Sequence, residues 1–319
     1  MTAPQKERIG KYEVLACIGV GGLGEVYCAR PDDGRPAPMV AIKRLRDKWH
    51  KRPDLAQLFA SEADIGRMLV HPNIVRNYET GFDEHGRLFL VMELITGRSL
   101  GELLQRVGDQ QLVAYEISLH IVCTLLAGLQ CAHDLTTAAG APLNLVHRDV
   151  TPDNILITFD GVIKLSDFGV AHLEALDGSA ANRGAFGKVP YMAPEHVLDR
   201  PIDRRADVYA CGVILYELLT GTHPFIDNKS DDAALLERIV RGKKRRPRDI
   251  LSSIPHELEA VIEHAMAPNP NKRFSTAREM EAALRPLYRA DANWSPIIAG
   301  MMRQLFAEAY AQHRGAPPH

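Results

Sequence analysis

Hydrophobic and polar positions alternate differently in the two halves of the chain. Up to about residue 95, short segments rich in β-branched and apolar residues are separated by Gly, Pro or Asp, which predicts strands. These segments read YEVLACIG, EVYCAR, MVAIKRL and RLFLVMEL. One segment with helical spacing interrupts them and predicts a helix over residues 53–70, whose apolar face carries Leu55, Leu58, Phe59, Ile65 and Met68.

The rest of the chain is predicted to be mostly helical. The segment ELITGRS contains a Gly and is predicted to be a hinge, and long segments with helical spacing follow it, among them EISLHIVCTLLAGLQCAHDL and DVYACGVILYELLTG. A small strand-rich lobe followed by a larger helical lobe is an α+β, two-lobed architecture. The predicted parts are a small lobe over 10–94, a large lobe over 95–287 and a helical tail over 288–319.

The tail carries an apolar stripe at helical spacing: Trp294, Ile297, Ile298, Met301, Leu305 and Phe306. Two roles are open for it: packing on the large lobe, or forming a homodimer or partner helix. The basic run at 241–248 is likewise either a solvated loop or a docking patch for acidic partners.

Composition narrows the function classes. The formal net charge of -2 gives no general attraction to nucleic acid. The five cysteines are scattered without a CxxC spacing, which indicates reduced thiols. The first residues lack a signal-peptide core, and no window has the roughly 20 apolar residues of a membrane span. We therefore expect a cytoplasmic protein with no membrane segment in this chain.

Three glycines, Gly19, Gly21 and Gly24, form a G-x-G-x-x-G pattern between two predicted strands. Without Cβ atoms, the backbone N–H groups of such a turn can approach phosphates closely. The pattern alone fits a plain hairpin equally well. A dinucleotide-binding fold would have a helix directly after the third Gly, and a strand is predicted there instead.

Charged residues add a second candidate for phosphate binding. Lys43 lies in the strand segment VAIK, and Glu62 lies in the predicted helix about 20 residues later. A Lys–Glu pair can hold the ammonium group against nucleotide phosphates, although both residues also fit ordinary solvated positions. Glu62 is preferred to Asp64 because it shares the helical phase of Phe59 and Ile65.

The segments HRDVTPDN and LSDFG combine a carboxylate, an amide and a second carboxylate. Asp149 and Asn154 lie in one polar loop just before an apolar strand, and Asp167 follows the next apolar segment. Mg²⁺ prefers one or two such oxygen ligands together with substrate phosphates. These residues would form a magnesium site of Asn154 and Asp167 next to Asp149 as a proton acceptor, although the short string DFG alone also fits a chance turn.

These motifs occur in one order: the Gly-rich loop, VAIK, a helix Glu, HRD-x-x-x-x-N, DFG and APE. Over residues 10–287 the chain resembles the eukaryotic-like (Hanks-type) protein kinases, particularly the bacterial Ser/Thr branch. The resemblance implies ATP, Mg²⁺ (with Mn²⁺ as the alternative metal) and a protein substrate. It also implies that Asp149 orients the acceptor hydroxyl and that Lys43, held by Glu62, anchors the α- and β-phosphates.

The resemblance further implies an adenine slot and two supporting residues. The slot would have Ile18, Val26 and Ala41 above the base, Leu156 below it, Met92 as gatekeeper, and the hinge backbone of Glu93 and Leu94 at its edge. Asp207 would support the backbone of the catalytic loop. Arg273 would pair with Glu195 of the APE motif.

Three departures from the family pattern stand out. Leu23 replaces the usual aromatic residue at the tip of the Gly-rich loop. Gly66 replaces a larger side chain that links the lobes, which is expected to make its helix easier to displace. Thr151 stands where Ser/Thr kinases carry Lys, while Lys188 stands where they carry Thr.

The exchange of Thr151 and Lys188 has two interpretations. In the first, Lys188 delivers the missing ammonium group to Asp149 from the opposite side; in the second, it points to solvent or to the substrate peptide. We predict an active Ser/Thr protein kinase. The alternatives are a catalytically weakened pseudokinase that acts as a nucleotide-binding scaffold, and a small-molecule kinase, against which the APE segment argues.

Overall fold

The computed structural model describes residues 7–21, 24–32, 37–46, 63, 66–108, 113–168, 189–226 and 231–315. The chain packs as two units. The small lobe comprises residues 1–71, 75–96 and 311–319, and the large lobe comprises 72–74 and 97–310. The predicted boundaries at 94 and 287 stay predictions.

The small lobe contains a six-stranded antiparallel sheet in the order β1-β2-β3-β4-β6-β5. Its strands are β1 Arg8–Ile9, β2 Tyr12–Val20, β3 Gly24–Pro31, β4 Val40–Leu45, β5 Asn77–Phe82 and β6 Leu88–Glu93. Because side chains alternate along a strand, one face gathers the apolar core of Ile9, Tyr12, Tyr27, Ala29, Val40, Ile42, Phe89 and Val91. The side chains of the opposite face point away from this core.

The predicted helix at 53–70 is described only at Ala63 and from Gly66 onward. The assignment of Met68 to its apolar face was wrong. Met68 is 47% exposed, whereas Leu69 is 1% exposed. The helical residues end at Met68, and the following residue, Leu69, is the one that packs into the core. Leu55, Leu58, Phe59, Glu62 and Ile65 lie outside the described residues.

Helices dominate the large lobe. They are α1 Leu100–Val107, α2 Tyr115–His133, α3 Pro194–Val197, α4 Arg205–Thr220, α5 Asp232–Arg241, α6 Pro247–Ile250, α7 His256–Ala265, α8 Ala277–Leu284 and α9 Ser295–Leu305. A last helix, α10 Ala307–Gly315, begins in this lobe and ends in the 311–319 segment assigned to the small lobe. A small antiparallel sheet adds β7 Gly97–Ser99, β8 Ile155–Thr158 and β9 Ile163–Leu165. The predicted α+β, two-lobed fold is confirmed.

Two apolar helices, α2 and α4, form the centre of the large lobe. α4 packs against α2 and α7, and α8 packs against α2. Within the described residues, α2 is the one helix long and apolar enough to cross a membrane, and 67% of its apolar window is buried inside the lobe. This burial is that of a core helix.

The tail helix α9 packs on the large lobe through Ile298 and Met302, which are fully buried, and through Trp294 at its start. The Trp294 indole N–H donates to the Arg289 carbonyl at 2.9 Å. Ile297, predicted to belong to the same stripe, is 50% exposed, because α9 turns the neighbouring Ile298 toward the lobe.

Candidate active site

The strand register of the small lobe places the predicted nucleotide residues on one face. Gly19 pairs with Val26, Val26 with Lys43, and Lys43 with Leu90. Ala41, two residues before Lys43, pairs with Met92. Directly opposed residues share a face, as do residues two apart. Val26, Ala41, Lys43 and Met92 therefore share the face opposite to the apolar core.

The Gly-rich segment is a hairpin between β2 and β3, as the strand prediction requires. Its turn is closed by a hydrogen bond from the Gly21 N–H to the Gly24 carbonyl at 2.8 Å. A Cβ on Gly24 would collide with the carbonyl of Arg44, so this glycine permits close packing of the strands. Ile18 lies at an irregularity of the β2 ladder and is 52% exposed. Leu23 lies outside the described residues.

Lys43 lies on the central strand β4 with its residue only 8% exposed. Burial of an ammonium group is expensive unless it is paired. Its predicted partner Glu62 lies outside the described residues, so the Lys43–Glu62 pair stays a prediction.

Part of the predicted hinge forms hydrogen bonds within the small lobe. The Glu93 N–H donates to the Arg76 carbonyl at 2.8 Å, and the Glu93 carboxylate accepts the Arg76 N–H at 3.2 Å. The Glu93 N–H is therefore unavailable to adenine. Adenine recognition by the hinge would depend on the Glu93 carbonyl and on Leu94, which is half-buried.

Gly66 lies beside a side chain of the sheet: a Cβ on Gly66 would collide with the side-chain amide of Asn77. Asn77 begins β5 and pairs with Met92, the predicted gatekeeper. The space beside Gly66 is thus occupied by the Asn77 side chain, and the expectation that the helix is easier to displace stays a prediction.

The backbone of the catalytic loop is held by Asp207, which is 1% exposed. The backbone N–H groups of His147 and Arg148 each donate to its carboxylate at 2.9 Å, and His133 Nε2 lies 2.8 Å from it. Burial raises the pKa of Asp207, but the hydrogen bond from His133 and the loop contacts outweigh it, and the net pKa is lowered. The predicted supporting role of Asp207 is confirmed.

Asp149 is held in place by neighbours on the same loop. The Asn154 side-chain NH₂ donates to the Asp149 carboxylate at 2.7 Å and to its carbonyl at 2.9 Å. The Asp149 N–H donates to His147 Nδ1 at 3.2 Å, and Asp149 is 5% exposed. Arg148, which precedes it, has a φ of 65°, a strained conformation of the kind that clusters at active sites.

The two predicted metal ligands lie on neighbouring strand ends. Asn154 immediately precedes β8, and its carbonyl accepts the N–H of Ser166 at 2.9 Å and the Ser166 hydroxyl at 3.0 Å. Asp167 follows Ser166 with a φ of 61°. Because the Asn154 NH₂ is turned toward Asp149, its amide oxygen is the end left for a metal.

The donor set fits Mg²⁺. One amide oxygen and one carboxylate are hard ligands, and Mg²⁺ takes its remaining positions from phosphates and water. The described ranges contain no cluster of three or more His, Cys, Asp or Glu side chains that could hold a metal ion. Leu156, the predicted floor of the adenine slot, is half-buried on β8 opposite Lys164.

Thr151 lies inside the same loop. Its residue is 6% exposed, and its carbonyl accepts the Asn154 N–H at 3.1 Å. Lys188 lies outside the described residues. The compensating exchange between these two residues therefore stays a prediction.

The APE segment is fixed by a buried ion pair. Arg273 donates to both carboxylate oxygens of Glu195, at 2.6 and 2.7 Å. Its other N–H groups donate to the carbonyls of Arg205, Ala267 and Pro268, and its guanidinium stacks over the Tyr209 ring. The predicted Glu195–Arg273 pair is confirmed.

Sequence reasoning missed two groups near these motifs. His133, at the last turn of α2, supports Asp207, and its only signal in the sequence was a polar residue at the end of an apolar helix.

The second group is formed by Tyr191, Glu217 and His223. Tyr191 donates to Glu217 at 2.6 Å and its ring contacts His223 edge-on at 5.1 Å. Burial lowers the pKa of His223 to about 3, which keeps this imidazole neutral.

The basic run at 241–248 is largely satisfied within the lobe. Lys244 pairs with Glu263 at 2.6 Å, Arg246 pairs with Asp249 at 3.0 Å, and the Arg248 side chain donates to the Ile254 carbonyl at 2.6 Å. Several of its charges are therefore paired within the lobe, and the choice between a solvated loop and a docking patch stays open.

Comparison with known proteins decides the family. Residues 12–285 match the family described as "Protein kinase domain". The chain belongs to the protein kinase family. Members of this family use ATP and a divalent metal ion. The family motifs HRD-x-x-x-x-N and DFG correspond to the catalytic loop and to the ends of strands β8 and β9 described above.

Similar proteins come from several bacteria. The chain is 36% identical over 284 residues to Tyrosine-protein kinase MasK of Myxococcus xanthus, covering 88% of this chain and 43% of that protein. It is 34% identical over 303 residues to Serine/threonine-protein kinase PknB of Mycolicibacterium smegmatis, covering 93% of this chain and 46% of that protein. The chain thus spans less than half the length of these relatives.

The fold is also that of a solved structure. The PknI kinase domain of Mycobacterium tuberculosis aligns with a TM-score of 0.67 and 24% identity, covering 90% of this chain and 99% of that chain. At this identity the likeness establishes the fold alone.

Proposed function

We propose that this chain is an active protein kinase domain that transfers the γ-phosphoryl group of ATP to Ser or Thr hydroxyls of a protein substrate. The observation that supports it best is the catalytic loop, where Asp207 fixes the backbone and Asn154 fixes the Asp149 carboxylate. Phosphoryl transfer depends mainly on positioning and charge stabilisation, and this loop is built to position one carboxylate.

Each residue has a defined part in the proposed reaction. Asp149 orients the acceptor hydroxyl and accepts its proton. Lys43, held by Glu62, binds the α- and β-phosphates. Asn154 and Asp167 hold Mg²⁺, which neutralises the phosphate charge when bound; Mn²⁺ would satisfy the same oxygen ligands.

The proposed exchange places Lys188 beside Asp149 in place of the ammonium group that Thr151 lacks. A charge-assisted hydrogen bond contributes about 1.5–3 kcal/mol, so Lys188→Thr should cost about ten- to a hundredfold in rate. Thr151→Lys combined with Lys188→Thr should recover much of that loss. Contacting residues couple, so strictly additive rate effects of the two single changes would show that the side chains act independently.

The pseudokinase alternative has less support. The positions that carry the chemistry hold Lys43, Glu62, Asp149, Asn154 and Asp167, and the loop that carries Asp149 is fully supported. A weakened enzyme would bind nucleotide and fail to turn it over.

A tyrosine acceptor is the second candidate, favoured by one observation. The relative MasK, at 36% identity, is named a tyrosine-protein kinase. Pro152 in the catalytic loop is typical of the Ser/Thr class and supports the first candidate.

Incubation of the chain with labelled ATP, Mg²⁺ and a generic protein substrate, followed by acid hydrolysis, separates these candidates. We expect phosphoserine and phosphothreonine. Phosphotyrosine alone would assign the second candidate, and nucleotide binding without any transfer would assign the pseudokinase.

We further propose that the chain forms a homodimer and that it acts in the cytoplasm. Edge strand β5 exposes Tyr78 at 49% and Phe82 at 65%, and apolar residues on a sheet edge favour pairing with a second copy. We assign the reaction to the cytoplasm, where ATP is available. A solution mass equal to that of one chain at high concentration would contradict the homodimer.

A further inference from the structure

The tail helix α9 lies against the turn that joins β8 and β9. Gly161 in this turn has a φ of 80°, and a Cβ on it would collide with the carbonyl of Ser295. The Arg303 Nε donates to the Phe159 carbonyl at 2.9 Å, and its guanidinium lies 2.7 Å from the Asp160 carboxylate. One helix thus holds three consecutive residues of the turn.

Further contacts hold Arg303 and α9 in this place. The Arg303 guanidinium stacks over the Tyr310 ring at 5.1 Å, and Tyr310 in turn contacts the Phe159 ring at 5.4 Å. Arg106 of α1 donates to the Leu305 carbonyl at the end of α9, at 3.1 Å. The position of the guanidinium is therefore defined from two sides.

The other ends of the same two strands carry the proposed metal ligands. Between the turn and those ends, the strands pair Ile157 with Ile163 and Ile155 with Leu165. Asn154 and Ser166 close the ladder, and Asp167 follows. At about 3.3 Å per residue, the five residues from Phe159 back to Asn154 span roughly 16 Å.

We infer that Arg303 is a positioning residue for the metal ligands Asn154 and Asp167, acting through the β8–β9 hairpin. This inference rests on the proposed function, since it takes these two residues as the Mg²⁺ ligands. A hairpin with every rung paired moves as a unit, so the fixing of its turn also fixes its far end.

The contact with the Phe159 carbonyl carries the effect. Asp160 is exposed, with 83% of its side chain accessible, and an exposed ion pair contributes little because water screens it. The Phe159 carbonyl belongs to the hairpin backbone itself. Loss of the Arg303 N–H donor would free that backbone, whereas loss of the Asp160 carboxylate would not.

The test compares Arg303→Met, which keeps the length of the side chain and removes the donor, with Arg303→Lys, which keeps an N–H donor. Asp160→Ala removes only the exposed ion pair. Arg241→Ala is a control for the loss of an exposed ion pair, because Arg241, whose side chain is 70% exposed, forms a 2.9 Å pair with Glu237 on α5.

Two readouts need no phosphoryl transfer. Mn²⁺ binding to the ADP complex is titrated by electron paramagnetic resonance, and exchange of the Ser166 N–H is followed by hydrogen–deuterium exchange. Loss of a residue that contacts a metal ligand directly costs about 10–100-fold in metal affinity, so this more distant residue should cost about three- to tenfold. Arg303→Met should show this loss together with faster Ser166 exchange, while the other three variants stay close to wild type.

An Arg303→Met protein that folds and keeps wild-type Mn²⁺ affinity and Ser166 exchange would overturn the inference, as would an equal loss in Arg241→Ala. A wild-type chain that binds Mn²⁺ and ADP but transfers no phosphate would overturn the proposed function instead, leaving the positioning effect measurable.

Discussion

The buried pair of Glu195 and Arg273 offers a sharp test of how the large lobe is held together. The change Glu195→Gln keeps the shape of the side chain and removes its charge. The Arg273 side chain is 0% exposed and that of Glu195 is 5% exposed. The substitution therefore leaves a guanidinium in the interior without its carboxylate.

The size of the effect follows from this burial. Removing one partner of a buried ion pair costs about 3–5 kcal/mol, because the remaining charge is uncompensated. In a domain of 150–250 residues, each kcal/mol lowers the melting temperature by about 2–4 °C. We therefore expect Glu195→Gln to lower the melting temperature by about 6–20 °C.

Calorimetry or circular dichroism of purified variants measures this loss. The control is Glu237→Gln, which breaks an ion pair whose side chains are 59% and 70% exposed and should cost no more than about 0.5 kcal/mol. Equal, small shifts in both variants would refute the reasoning, since burial of the pair would then carry no consequence.

Three further predictions concern the site and its surroundings. Asp167→Asn should weaken Mg²⁺-dependent nucleotide affinity by about tenfold or more, as titration with and without the metal would show. The folded chain excludes a proton from His223, whose pKa is lowered to about 3, whereas the unfolded chain binds that proton below about pH 6.5. His223 therefore lowers stability by about 1.4 kcal/mol per unit as pH falls from 6.5 towards 3, and urea unfolding at pH 7 and pH 5 should show a smaller drop in His223→Asn; equal drops would contradict it. Gly66→Leu should cost about 1–3 kcal/mol by overpacking, and adding Asn77→Ala should restore stability; a harmless Gly66→Leu would show that Asn77 moves freely.

The resemblance to the protein kinases predicted residues whose partners are fixed by the family pattern. Asp207 was assigned to the catalytic-loop backbone, and Glu195 to Arg273, 78 positions away. Both sets of contacts are buried, and a buried charge requires a specific partner, so the family motifs are enough to predict the geometry at these positions.

Other features depend on packing that local sequence does not encode. Asn77 fills the space beside Gly66, and nothing in the strand pattern distinguishes it from other polar strand residues. Arg303 contacts the backbone carbonyl of Phe159, 144 positions earlier, and any side chain can present a carbonyl. Ile298 is buried and Ile297 is half-exposed because of the rotation of α9 on the lobe, which the helical spacing of the sequence does not specify.

Single-turnover transfer of labelled γ-phosphate to a protein substrate, measured for wild type and Asp149→Asn with nucleotide binding followed in the same samples, tests the central claim most directly. Asp149 lies in a loop whose backbone is held by Asp207, so its neutral variant should keep the fold and bind ATP nearly as well. We predict that the wild type transfers phosphate and that Asp149→Asn loses transfer while retaining nucleotide affinity. Wild-type rates in Asp149→Asn, or no transfer by a wild-type chain that binds MgATP, would contradict the account.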